Sequence, residues 1–146
     1  MIELKAIRPS WEENAAFAEN PDCASTLDVC IDYYKVIGFN PPWVCYFAYY
    51  NGELVGSAAF KGGPVNNRVE IAYGTLERFQ HRGMATMICK KLVDVALQHD
   101  PGVEVSARTL MDENFSVKVL RKNGFVLAGS VLDKDDGEVW EWLLQK

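Results

Sequence analysis

The stretch Gln80-His81-Arg82-Gly83-Met84-Ala85-Thr86 holds the residue types best suited to binding chemistry. A strand-like run, Arg68 to Leu76, leads towards it, and a strongly helical run, Ala85 to Leu97, leaves it. The first turn of a helix carries backbone N–H groups without partners, and its dipole favours an anion there. Gly83 lets the backbone approach a ligand without a Cβ, and Ala85 keeps that approach open. His81 and Arg82 add positive charge. The spacing Gln-x-x-Gly-x-Ala therefore points to a phosphate site. Two better-known phosphate patterns, G-x-G-x-x-G after a first strand and G-x-x-x-x-G-K-S/T, are absent, which argues against nucleotide-dependent redox chemistry and ATP hydrolysis. Standing alone, a glycine between a strand and a helix is usually only a turn, so the elements around the stretch decide its meaning.

Those elements follow from periodicity and turn chemistry. Residues 2–8 alternate as a strand, with Ile2, Leu4 and Ala6 on one side. Residues 10–37 read as helix in one or two pieces, with Ser10 and Glu13 as a capping box and Asn20-Pro21-Asp22 as a break. Gly38 stops the second piece, and Phe39 to Pro42 form a loop. Trp43–Tyr50 and Leu54–Lys61 read as a hairpin closed by Asn51-Gly52, followed by a third strand, Arg68–Leu76. In the helix that begins at Ala85, Met84, Ile88, Leu92, Val95 and Ala96 form an apolar stripe. Val103–Leu110 alternates as a strand, Ser116–Asn123 is a short helix stopped by Gly124, and 125–132 with 138–144 make a last hairpin. Trp140, Trp142 and Leu144 share a face of its final strand. The order predicts a mixed α/β domain, residues 1–146. Its sheet is central, twisted and mostly antiparallel, of about seven strands, with about four flanking helices.

Composition narrows the partners. The 146 residues are 49% hydrophobic and 24% charged, an ordinary balance for one domain. A net charge of -5 is unsuited to nucleic acid, which needs a basic surface. No apolar run approaches the ~20 residues that span a bilayer, so no membrane partner is expected. The alternating N-terminus lacks the apolar stretch of a signal peptide, and the expected location is cytoplasmic. The four cysteines form no C-x-x-C pair, and His81 and His99 complete no metal spacing, so no metal site is expected.

Residues 70–86, Glu-Ile-Ala-Tyr-Gly-Thr-Leu-Glu-Arg-Phe-Gln-His-Arg-Gly-Met-Ala-Thr, resemble the acetyl-CoA-binding motif of the GNAT acetyltransferase superfamily, whose pattern is Arg/Gln-x-x-Gly-x-Gly/Ala. The segment 109–125, with Asn114, Ser116, Val119-Leu120, Lys122 and Gly124-Phe125, resembles a second block of that superfamily's branch of ribosomal-protein N-terminal (Rim-type) acetyltransferases. The resemblance implies a fold, a cosubstrate (acetyl-CoA) and an activity: acetyl transfer to a primary amine by direct attack in a ternary complex. It implies that backbone groups around Thr75 and Leu76 pair with the pantetheine arm. Gln80, His81, Arg82, Gly83, Met84, Ala85 and Thr86 would hold the pyrophosphate, and Ser116 and Lys122 would flank the pantetheine. Counting back from Ser116 puts the motif's asparagine on Glu113. Either Asn114 serves after a one-residue shift or that contact is lost.

For catalysis, such a reaction needs the ammonium deprotonated, the amine aligned and an oxyanion stabilised. Glu70 is the candidate base, because six residues before Leu76 it shares that residue's strand face. Its alternative is an ordinary strand glutamate in a salt bridge or in solvent. Tyr73 is either a substrate contact and proton donor to the leaving thiolate or a core residue. It points away from Glu70 unless the bulge common in this family intervenes. Tyr33, Tyr34 and Trp43 either line the substrate cleft or pack in the core. The acceptor is an amine-bearing small molecule or a protein N-terminus. The competing function is a non-catalytic acyl-CoA-binding module, which would need no Glu70. A homodimer through the C-terminal hairpin competes with Trp140 and Trp142 facing the core.

Overall fold

The computed structural model describes residues 1–145. In chain order the elements are β1 (Ile2–Ala6), α1 (Ala15–Ala18), α2 (Ala24–Ile37), β2 (Cys45–Tyr50), β3 (Glu53–Phe60), β4 (Arg68–Thr75), α3 (Met84–His99), β5 (Glu104–Thr109), α4 (Phe115–Lys122), β6 (Phe125–Asp133) and β7 (Gly137–Leu144), with single 3-10 turns at Glu12–Asn14, Pro21–Cys23 and Glu77–Phe79. The strands form one sheet in the order β1-β2-β3-β4-β5-β7-β6. Every neighbouring pair is antiparallel except β4 with β5. The expected mixed α/β architecture, with seven strands and four helices, is the one observed. Among the described residues no helix is long and apolar enough to cross a membrane.

Local chemistry explains the joints. Asn51 and Gly52 both take positive φ, 51° and 84°, which matches the twist of the β2–β3 hairpin they close. Ser10 and Glu13 bond reciprocally: Glu13 N–H donates to Ser10 Oγ at 3.2 Å and Ser10 donates to Glu13 Oε2 at 2.8 Å. The helix after them is nevertheless short. The buried Asn14 side chain accepts from Arg8 N–H at 2.8 Å and donates to the carbonyls of Arg8 (2.9 Å) and Ser10 (2.8 Å), so it serves the preceding loop rather than a longer helix.

The two sheet faces carry different layers. On one, α3 buries Ala85, Ile88, Cys89, Leu92, Val93 and Ala96, and α4 buries Val117, Val119 and Leu120. The stripe predicted for α3 holds at Ile88, Leu92 and Ala96, whereas Met84 and Val95 are only half-buried. On the other face Phe17 of α1 meets Phe47 of β2 edge-on at 4.8 Å. The α2 layer is pinned by Tyr34, 5% exposed, whose hydroxyl donates to Ile7 O at 2.7 Å and accepts from Cys45 N–H at 2.9 Å. One phenol thus joins a helix, the end of β1 and the start of β2. The last hairpin buries Trp142, 1% exposed, whose Nε1 donates to Thr109 Oγ1 at 2.9 Å, so this ring belongs to the core and offers nothing to a second copy.

Tyr34→Phe is expected to lower the unfolding free energy by about 1–3 kcal/mol, since it leaves a buried N–H and carbonyl short of a partner. Urea unfolding followed by far-UV circular dichroism measures it, and an unchanged midpoint would show that the pin is redundant.

Candidate functional site

The parallel pairing of β4 with β5 runs only from Arg68 and Glu104 to Ile71 and Ala107. Yet β4 continues to Thr75 and β5 to Thr109. Beyond the last pair β4 stays with β3 through Thr75, and β5 stays with β7 through Thr109. The sheet therefore parts along its middle, and among the described residues no strand lies beside the backbone edge of Ala72–Thr75. A cavity of about 110 Å³ lies in the parting, with Ala72, Tyr73, Arg108, Thr109 and Ser116 among its walls. Such an internal edge can pair with an extended ligand as a further strand would.

The edge leads to the start of α3. Gly83 is the N-cap, at φ 80°, and no side chain caps the helix. A Cβ on Gly83 would meet no atom of the chain, so the glycine is required by its left-handed backbone rather than by crowding within the protein. His81 also has positive φ, 63°. The result is a turn that leaves the first N–H groups of α3 without a side-chain cap, a geometry that suits an anion. Arg78 is paired with Asp22 at 3.0 Å, whereas Arg82 lies over the Phe79 ring at 5.9 Å. Gln80 is exposed, and its backbone N–H donates to Glu77 O at 3.2 Å. Thr75 Oγ1 is buried without a hydrogen-bond partner.

The second motif meets the first. His81 packs on Phe115 of α4 with ring centroids 5.3 Å apart, and Asn123 Nδ2 donates to Thr86 O at 3.2 Å. Asn114 caps α4, accepting from Val117 N–H at 3.1 Å, and also faces a cavity of about 270 Å³ beside Ser116. Glu113 is exposed and forked to Arg121 at 2.7 and 3.1 Å, so neither residue at this position is idle. Lys122 is exposed in the last turn of α4.

Glu70 lies on the opposite face from α3, in the wall shared by the parting and a larger cavity of about 450 Å³ beneath α2. Lys61 Nζ is 3.1 Å from its carboxylate and Arg108 Nε 3.7 Å. Arg108 also reaches Asp133 at 3.1 Å and Glu141 at 3.7 Å. Burial works against the Lys61 ammonium, but the attraction of Glu70 and its hydrogen bond outweigh it and hold Lys61 above its ordinary value. Backbone N–H of Asp135, then Arg108, then backbone N–H of Asp136 bring Asp133 down to about 2, so this carboxylate stays charged through the neutral range. Lys61, Arg108 and Asp133 were not expected from sequence. A signal existed for Lys61: the register Phe60 opposite Ile71 places it opposite Glu70.

Three of the sequence-based candidates change meaning. β4 pairs with β3 without a bulge, so Tyr73 stays on the face opposite Glu70. Its hydroxyl bonds the thiol of Cys89 on α3, and burial raises its pKa well above the ordinary tyrosine value, which is unsuited to giving up a proton. Tyr34 is the structural pin described above. Trp43 is 5% exposed and packs edge-on against Phe60 (5.1 Å) and His99 (5.4 Å). Both are core residues, held there by the aromatic area they bury. Tyr33, by contrast, is half-buried and lines the cavity beneath α2. All four cysteines are buried and free.

Comparisons with known proteins bear on the fold and the family. The uncharacterized N-acetyltransferase YjdG of Bacillus subtilis (strain 168) is 33% identical over 78 residues, which take in 53% of this chain and 46% of that protein. This match thus spans about half the length of its relative. Among solved structures, the aminoglycoside acetyltransferase AAC(6')-Ib in complex with coenzyme A superposes with a TM-score of 0.72 at 16% identity, covering 100% of this chain and 95% of that one. RimL, the ribosomal L7/L12 alpha-N-protein acetyltransferase, in complex with coenzyme A gives 0.68 at 17% identity, over 97% and 92%. These likenesses establish the fold, and they do not single out the Rim-type branch, since an aminoglycoside enzyme is as similar as RimL. A model of the acetyltransferase (GNAT) family matches residues 7–125, and the chain belongs to that family.

Proposed function

We propose that the chain is an acetyl-CoA-dependent N-acetyltransferase that acetylates a primary amine by direct attack in a ternary complex. The observation that carries this reading is the unpaired edge of β4 at Ala72–Thr75, with the Glu70 carboxylate on one side of it and the uncapped start of α3 at its end. Backbone groups about Thr75 and Leu76 suit the pantetheine arm, and the unsatisfied Thr75 Oγ1 lies beside them. The N–H groups from His81 to Thr86, with Gln80 and Arg82 beside them, suit the pyrophosphate. Ser116, Asn114 and Lys122 on α4 flank the other wall. The acceptor is an amine-bearing small molecule or a protein N-terminus, and it enters from the cavity under α2, past Tyr33.

Acetyl-CoA supplies an activated acyl group as a thioester. The amine nitrogen bonds the acetyl carbon while the C–S bond breaks. Of the two protons that the ammonium loses, one ends on the thiol and one reaches solvent. Glu70, set between Lys61 and Arg108, takes the proton that leaves the ammonium before attack and passes it to solvent, and the other leaves the nitrogen as the C–S bond breaks and ends on the thiol. The same pairing of Glu70 with Lys61 and Arg108 favours the second reading, a module that binds acyl-CoA without turnover, because an ordinary strand glutamate in a salt bridge has this geometry. Calorimetric titration with acetyl-CoA, followed by a free-thiol assay over an amine panel, separates the two. Binding with thiol release supports the transferase, and binding without it supports the module.

Gly83→Glu, which forces a side chain into the left-handed region and sets a negative charge at the helix start, is expected to weaken acetyl-CoA binding by about tenfold or more, roughly 1.4 kcal/mol. Undiminished affinity in a cooperatively folding variant would remove the loop from the site.

Glu70→Gln is expected to lower kcat by about 100-fold at neutral pH while acetyl-CoA affinity holds. The deficit should shrink as pH rises and the acceptor deprotonates unaided. A variant with the parent's rate and pH profile rules Glu70 out as the base.

A further inference from the structure

The surroundings of Glu70 specify more than a proton acceptor. The cavity of about 450 Å³ beneath α2 is lined by the apolar or aromatic Val29, Tyr33, Cys45, Ala59 and Ala72 and by the charged Glu70, Lys61 and Arg108, with Asp133, Lys134 and Asp135 towards the β6–β7 turn. Its volume is that of a small-molecule pocket. The charged groups balance, three cations against three carboxylates, and the inner four are already paired: Lys61 with Glu70 at 3.1 Å and Arg108 with Asp133 at 3.1 Å.

Any amine delivered to Glu70 therefore arrives between two cations, Lys61 on one side and the Arg108 guanidinium on the other. An acceptor with further ammonium groups near the reacting one is repelled by both, and the residues that line the cavity hold no surplus of carboxylates to offset them. A carboxylate one carbon from the amine meets the reverse situation. It falls beside Lys61 and Arg108, whose Nε stands 3.7 Å from both Glu70 and Glu141 and hydrogen-bonds neither. The apolar wall then receives an apolar side chain.

Resting on the transferase reading of this site, we propose that the acceptor is a small amino-carboxylate with an apolar side chain, such as a hydrophobic α-amino acid, and not a polycation. Lys61 and Arg108 are the specificity determinants. They read the carboxylate while Glu70 takes the proton from the neighbouring nitrogen.

Three acceptors test this in the thiol-release assay: phenylalanine, phenethylamine (the same body without the carboxylate) and spermidine. Phenylalanine is expected to exceed phenethylamine in kcat/KM by about tenfold, the worth of one good charge-assisted contact, with spermidine lowest. Lys61→Met should narrow the phenylalanine-to-phenethylamine ratio by several-fold, while acetyl-CoA titration of the same variant matches the parent and shows it folded. Phenethylamine or spermidine as the best acceptor, or a ratio unmoved by Lys61→Met, would overturn the amino-carboxylate assignment and leave the transferase standing. Acetyl-CoA binding with no thiol release from any acceptor would overturn the transferase reading itself, and this inference with it.

Discussion

The site depends on a broken pairing. Two parallel strands in the middle of a sheet ordinarily satisfy one another along their whole length, because an unpaired buried backbone group is costly. Here β4 and β5 separate after Ile71 and Ala107 while each keeps its outer neighbour. The separation is tolerated because both strands remain anchored on one side and because the gap opens onto a cavity that a ligand or water can enter. Every element implicated in the chemistry is placed by that gap. Glu70 stands just before it, the open turn of α3 follows the strand that borders it, and α4 covers its far wall.

Charge organises the side of the gap away from α3. Glu70, Asp133 and Glu141 would repel one another if left bare, and Lys61, Arg108 and Arg68 lie between them at 3.1 to 3.7 Å. These pairs are partly solvated, so their net contribution to stability is modest. Their larger effect is on what the cavity accepts. Four strands, β4 to β7, and the residue that follows β3 contribute to the cluster, so its geometry follows from sheet register rather than from a flexible loop.

Much of this was legible in the chain itself. The Asn51-Gly52 turn, the glycine stop at Gly38 and the Gln80–Thr86 loop each rest on local backbone chemistry, and such signals survive without tertiary information. What sequence could not settle was orientation across long separations. Tyr33 and Tyr34 are adjacent, both aromatic and both suitable for a cleft. One rotation step of the helix sends Tyr34 to a buried carbonyl and leaves Tyr33 facing the cavity. Tyr73 was ambiguous for as long as a bulge in β4 was open, and the regular register with β3 closes that question. Arg108 sits in a strand where its neighbours, Val105 to Ala107 and Thr109, are small or apolar. That oddity is visible by eye, but its partners are 33 and 25 residues away along the chain in β7 and β6.

The joint between α3 and α4 bears on how such a molecule can change. His81 on Phe115 and Asn123 on Thr86 tie the turn at the start of α3 to the helix across the gap. On the proposed reading, the donor half of the crevice is thereby one solid piece, built from two helices that share contacts. The acceptor half is assembled from α2 and the β6–β7 turn, which touch neither of those contacts. On the proposed reading, substitutions at Val29, Tyr33 or Lys134, none of which lies in the turn at the start of α3, reshape the pocket for a different amine. The molecule is divided into a conservative tool and an exchangeable fitting, and the line between them runs along β4.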